Sequence, residues 1–139
     1  MQEALPHPRP ARWLAPLMLI LGGALLAVCW ILLSLYLGRP CGWMAVAAAL
    51  MSALMLRLGG MQRGWIRMAW ATAATLLLIA LANWCIAAAH IGASLGLDPF
   101  DSALKMGFGY AWTLARLANG TADLVWMAVA LPTAALAAR

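Results

Sequence analysis

An asparagine and a histidine, Asn83 and His90, lie within the third apolar run of the chain, Met68 to Leu97. They are seven residues apart, two helical turns, so both project from nearly the same side of a helix. Polar groups in an apolar run face protein or a water-filled cavity, and an ionisable one there points first to function. Read for chemistry, Asn83 supplies hydrogen bonds and His90 carries a proton or contacts a ligand. Read for structure, the two side chains bond neighbouring helices, a modest and common contribution. Asp98 and Asp101 follow closely, and either carboxylate would complete a general acid–base pair with His90. Both also have a structural role. Asp98-Pro99-Phe100-Asp101 reads as a helix start, with Asp98 as N-cap, Pro99 at the first helical position and Asp101 as the capping-box acid. Asp101 and Lys105, four apart, form a supportive pair. Asn83, His90, Asp98 and Asp101 are therefore the candidate ligand-binding residues.

Other chemistries lack their residues. Cys85 and His90 are five apart, about 140° around a helix, too far for a nucleophile–base pair. No C-x-x-C or H-x-x-x-H occurs, so neither a metal nor haem is expected. There is no Walker-type or dinucleotide glycine motif, and no cofactor is expected. The three cysteines, an odd number, give no disulfide framework. The expected protein is not an enzyme, and a membrane-embedded enzyme with His90 and Asp98 or Asp101 at its mouth is the least favoured reading.

The elements that position these residues follow from composition. The 139 residues are 66% hydrophobic and only 9% charged. So short a soluble chain cannot bury that much apolar surface, which makes lipid its solvent. The net charge of +5 does not indicate nucleic acid, because the basic residues flank apolar runs instead of forming a patch. Residues 1–12 hold three prolines and read as a disordered tail. Spans are expected at about 13–37, 40–56, 68–97 and 121–138. The first is too long for a signal-peptide core and lacks a cleavage site, so it reads as an uncleaved helix. Gly38-Arg39-Pro40 ends it, with Pro40 opening the second. Ala45, Ala49 and Ala53 form a smooth strip on that second span, which suits a central place in the bundle. Ala88, Gly92 and Gly96 repeat every four residues and form a second packing strip.

Between the third and last runs, the spacing from 99 to 118 predicts one amphipathic helix lying in the interface. Phe100, Ala103, Leu104, Gly107, Phe108, Ala111 and Ala115 fall on one side, and Asp101, Lys105, Gly109, Thr113 and Arg116 on the other. The alternative is a fifth span with Lys105 and Arg116 reaching opposite surfaces. Asn119-Gly120 stops the helix and Thr121 is the next N-cap. With four spans, Arg9, Arg12, Arg57, Arg63, Arg67 and Arg139 share one side. Arg39, Lys105 and Arg116 share the other, with Asp98, Asp101 and Asp123. The positive-inside rule then places both termini in the cytoplasm of a bacterial inner-membrane protein. Trp13, Trp65 and Trp70 fall at the inner boundary, and Tyr36, Trp43 and Trp126 at the outer one.

Leu95-Gly96-x-x-Pro99-Phe100-Asp101 resembles the LGxxPWD element of YczE-like bacterial integral membrane proteins, with phenylalanine in place of tryptophan. In that family, often described as candidate transporters, the element follows the first helix; here it follows the third apolar run. The resemblance implies a helical membrane protein. The length and span count are also similar to those of small multidrug exporters, but residues 13–38 lack the acid those proteins carry in their first helix. The expected fold is an all-α bundle of four transmembrane helices with an interfacial helix near 99–118. The expected function is that of an accessory or structural subunit, assembling through its small-residue faces with a second copy or with other membrane subunits. The alternative is a small-molecule transporter with a polar site at Asn83 and His90.

Overall fold

Leucines face outward in this molecule and alanines face inward, the reverse of a soluble core. The computed structural model describes residues 13–139, and the tail expected at 1–12 lies outside them. The described residues form six helices: α1 (Leu14–Leu37), α2 (Met44–Leu58), α3 (Trp65–Leu95), α4 (Pro99–Lys105), α5 (Phe108–Ala118) and α6 (Thr121–Ala138). On α1, Leu17, Ile20, Leu21, Leu25, Val28 and Leu32 are exposed, while Gly22, Gly23, Trp30 and Ser34 are buried. The interior is built from Ala45, Ala48, Ala49 and Ala53 of α2, Ala71, Thr75 and Ala82 of α3, and Ala130, Ala134 and Ala138 of α6. Where lipid is the solvent, leucine gains nothing by being inside, and small residues let backbones approach closely enough for dispersion to hold them. The chain is membrane-embedded. Helices α1, α3 and α6 are long and apolar enough to cross a bilayer, and α2 is a shorter apolar helix.

Helix α2 packs against α1, α3 and α6, and α3 packs against all five of the other helices. Among the described helices, α4 and α5 contact only α3. The expected strip of Ala45, Ala49 and Ala53 is thus covered by the chain itself. The matching strip on α6, Ala130, Ala134 and Ala138, was not foreseen, although its four-residue spacing is legible.

The two ends of the bundle are tied differently. At one end Asp123, in the first turn of α6, accepts from the Gly42 N–H at 2.9 Å and from the Gly120 N–H at 3.3 Å. A Cβ on Gly42 would lie 2.6 Å from the Asp123 Cα, so only glycine fits there. At the other end Arg67 is buried, with 5% exposure. Its guanidinium donates to the carbonyls of Ala138, Arg139 and Met61. Arg63 Nε also donates to the Arg139 oxygen, at 2.9 Å. The carbonyls ending α6 have no partner within the helix, and the arginines supply both hydrogen bonds and a charge suited to the helix dipole.

Several helix limits differ from expectation. Helix α2 opens at Met44, not Pro40. The Gly42 N–H is held by Asp123, and tight turns (Met44 N–H to Cys41, Ala45 N–H to Gly42, both 3.0 Å) precede the helix. Helix α3 begins at Trp65 and ends at Leu95, closed by Gly96 at φ +66°. Gly96 is therefore an exposed helix stop, while Ala88 and Gly92 are buried. Gly120, not Thr121, is the residue before α6. The single helix expected over 99–118 is broken into α4 and α5 at Met106-Gly107, where Met106 is extended at φ −75°, ψ 111°. The break turns Met106 inward against Ala87 and Ala88 of α3. Glycines at 107 and 109 make continued helix weak, so burying Met106 decides the local structure. Phe100 and Leu104 are largely exposed, as side chains of an interfacial surface would be.

Candidate functional site

Asn83 and Asn119, the two asparagines of the chain, meet where α3, the end of α5 and the start of α6 converge. Asn83 Nδ2 donates to the Ile79 carbonyl of its own helix at 2.9 Å. Asn119 ends α5 and lies extended at φ −84°, ψ 116°. From there its Nδ2 reaches both the Ala115 carbonyl and Asn83 Oδ1, each at 2.7 Å. Each amide nitrogen faces a main-chain carbonyl, so turning either amide over would set oxygen against oxygen. The orientation is fixed, and it leaves Asn119 Oδ1 buried without a donor among the described residues. Asn119 is itself only 8% exposed. An orphaned acceptor at such depth costs about 1–3 kcal/mol.

This pair lines one part of a groove of about 330 Å³ between α3, α5 and α6. Leu76 and Ile79 of α3 and Leu124 and Met127 of α6 give it apolar walls. Trp84, Phe108 and Trp112 add aromatic surface, and Arg116 brings the one formal charge of the lining. Trp84 is held in place by an Nε1 hydrogen bond to the Ala103 carbonyl (3.3 Å) and by the Phe108 ring, whose centroid is 6.1 Å away. The mostly apolar concavity with a few converging polar groups is the usual form of a small-molecule site. Its polar lining residues, two asparagines and an arginine, offer hydrogen bonds and a fixed positive charge.

The structure separates the other expected residues from this site. His90 is exposed, lies outside the groove lining and makes no side-chain hydrogen bond among the described residues. The cause is the length of α3. Asn83 is already level with the start of α6, and α3 continues for three further turns clothed by α4 and α5. Asp98 and Asp101 are exposed beyond the end of α3. Asp98 precedes α4 as expected but caps it without its side chain, its main-chain oxygen accepting from Ser102 at 3.0 Å. Among the described residues, no group of three His, Cys, Asp or Glu could hold a metal ion. Sequence reading assigned Asn119 only to a helix stop and missed Asp123 and Arg67 as cross-links. The one available signal for the pair was that asparagine occurs just twice. In comparisons with known proteins, no family model, curated protein or solved structure matched this chain.

Proposed function

We propose that the protein crosses a bacterial inner membrane four times, with both termini cytoplasmic, and binds an amphiphilic small molecule in the groove at Asn83 and Asn119. The orphaned Asn119 oxygen, at the polar part of an otherwise apolar groove, carries the reading. A ligand with a donor at its head, such as a hydroxyl, satisfies that oxygen after a small side-chain adjustment, while its apolar body covers the leucine and methionine walls. Because α3, α5 and α6 carry exposed leucine, tryptophan and phenylalanine beside the groove, such a ligand enters laterally from lipid.

The fourth crossing is assigned to α2. At about 1.5 Å per residue its 15 residues cover about 22 Å, less than the ~30 Å of hydrocarbon. Its flanks make up the difference: Gly42 is tied to the start of α6 through Asp123, and Met61 to the end of α6 through Arg67. Residues 42–61 thus run between the same two levels as α6. The LGxxPFD resemblance at 95–101 fits a role in handling or transporting the ligand. Assembly with other subunits finds less support, since the Ala45, Ala49 and Ala53 strip is already filled by the chain's own helices.

The test uses the full chain in lipid nanodiscs with 10-bromodecan-1-ol and its methyl ether, whose bromine quenches Trp84 and Trp112 on contact. The alcohol is expected to quench at about tenfold lower membrane loading than the ether, the worth of one hydrogen bond. Asn119→Leu and Asn83→Leu should each abolish that difference. Equal quenching by alcohol and ether, or a difference unchanged in Asn119→Leu, would refute the site.

A further inference from the structure

A second concavity, of about 660 Å³, opens at the opposite end of the bundle, between the start of α3 and the end of α6. Arg63, Trp65, Met68, Leu136 and Arg139 line it together with the Gly64 backbone. We propose that this cleft binds the anionic headgroup of a membrane phospholipid.

Three observations lead there. The first is charge. Arg57, Arg63, Arg67 and Arg139 gather at this end, whereas the described aspartates lie elsewhere. Asp123 is bonded to Gly42 at the far end of α6, and Asp98 and Asp101 lie past the far end of α3. Arg67 is turned inward onto backbone oxygens, and among the described residues Arg63 commits only its Nε. Arg63 and Arg139 both line the cleft, and the planar fork of a guanidinium suits phosphate oxygens. The second is the floor. Met68 and Leu136 are apolar, and a free phosphate would have no use for them, whereas the first carbons of an acyl chain would cover them. The third is Trp65, 82% exposed at the mouth. An indole there sits at the level of lipid headgroups, as membrane-boundary tryptophans do. Basic pockets between transmembrane helices are recurrent sites for acidic headgroups.

The test is thermal unfolding of the full chain in dodecyl maltoside with short-chain phosphatidylglycerol, short-chain phosphatidylcholine or inorganic phosphate added separately. Phosphatidylglycerol is expected to raise the midpoint by several degrees, because it binds the folded state alone. Phosphatidylcholine and phosphate should leave it unchanged. R139Q and the R63Q/R139Q pair should each raise the half-saturating phosphatidylglycerol concentration at least tenfold. R57Q, which removes the same charge from the same end but outside the cleft, should not. An equal shift with phosphatidylcholine, or the same shift with phosphate alone, would overturn the proposal. So would an R57Q effect equal to that of R139Q, which would mean diffuse charge attraction. The lipid comparison on the unmutated protein decides the matter even if R63Q/R139Q fails to fold.

Discussion

Replacing Arg67 by methionine is expected to destabilise the protein by about 3 kcal/mol. Methionine fills much of the same space but donates nothing, so the carbonyls of Ala138, Arg139 and Met61 lose their shared partner. Hydrogen bonds from a charged donor contribute roughly 1.5–3 kcal/mol each, and water at the membrane boundary recovers part of the loss. The change also loosens the end of α6, which keeps the Arg63 hydrogen bond to the Arg139 oxygen but loses those of Arg67. Lysine should restore less than half, since a single ammonium cannot span three carbonyls as a planar fork does. Unfolding in mixed micelles of rising dodecyl sulfate content, followed by circular dichroism, measures both variants. A loss under about 0.5 kcal/mol for Arg67→Met would mean that water already serves those carbonyls.

Gly59→Ala should cost a similar amount, for a reason of space and not of charge. Gly59 ends α2 at φ −70°, which any residue adopts. Its added methyl, however, would overlap the Ala15 Cα and come within 2.7 Å of the Ala15 Cβ and 2.9 Å of its backbone nitrogen. Backbone cannot swing aside as a side chain does, so the start of α1 must move off the end of α2. Overpacking of this kind typically costs 1–3 kcal/mol, and the upper figure is expected here. Gly22→Ala provides the contrast. There the new methyl meets Met55 Cγ at 2.8 Å and Sδ at 3.0 Å, atoms of a flexible side chain, and the cost should stay under about 1 kcal/mol. Equal losses at the two positions in the same micelle titration would show that α1 and α2 do not meet as closely as described.

How much of this was legible in the sequence depends on whether the deciding contact is local. The end of α1 was set at Gly38, at positive φ, and the α5 end at Asn119, because a helix stop is encoded within a few residues. Gly96, also at positive φ, was read as packing surface although it closes α3. The start of α2 was misplaced because Asp123, far along the chain, takes the Gly42 N–H. The break in 99–118 was missed because it exists to bury Met106 against α3, a gain no helical wheel displays. Asn83 and His90 do share a seven-residue spacing, yet only Asn83 reaches the groove. Asn119 arrives at the level of Asn83, and His90 lies on the stretch of α3 that runs past the start of α6. Local pattern thus identified the polar residues of α3; which of them has a partner was decided by a residue from another helix.

The most direct test of the alternating four-crossing path uses cysteines on either side of α2, at Arg39 and Gln62, both exposed. A membrane-impermeant maleimide applied to intact bacterial cells whose outer membrane admits it should label Arg39→Cys and not Gln62→Cys. Permeabilising the inner membrane should then expose Gln62→Cys. Labelling of both positions from one side would contradict the crossing by α2, and labelling of Gln62→Cys alone in intact cells would reverse the orientation.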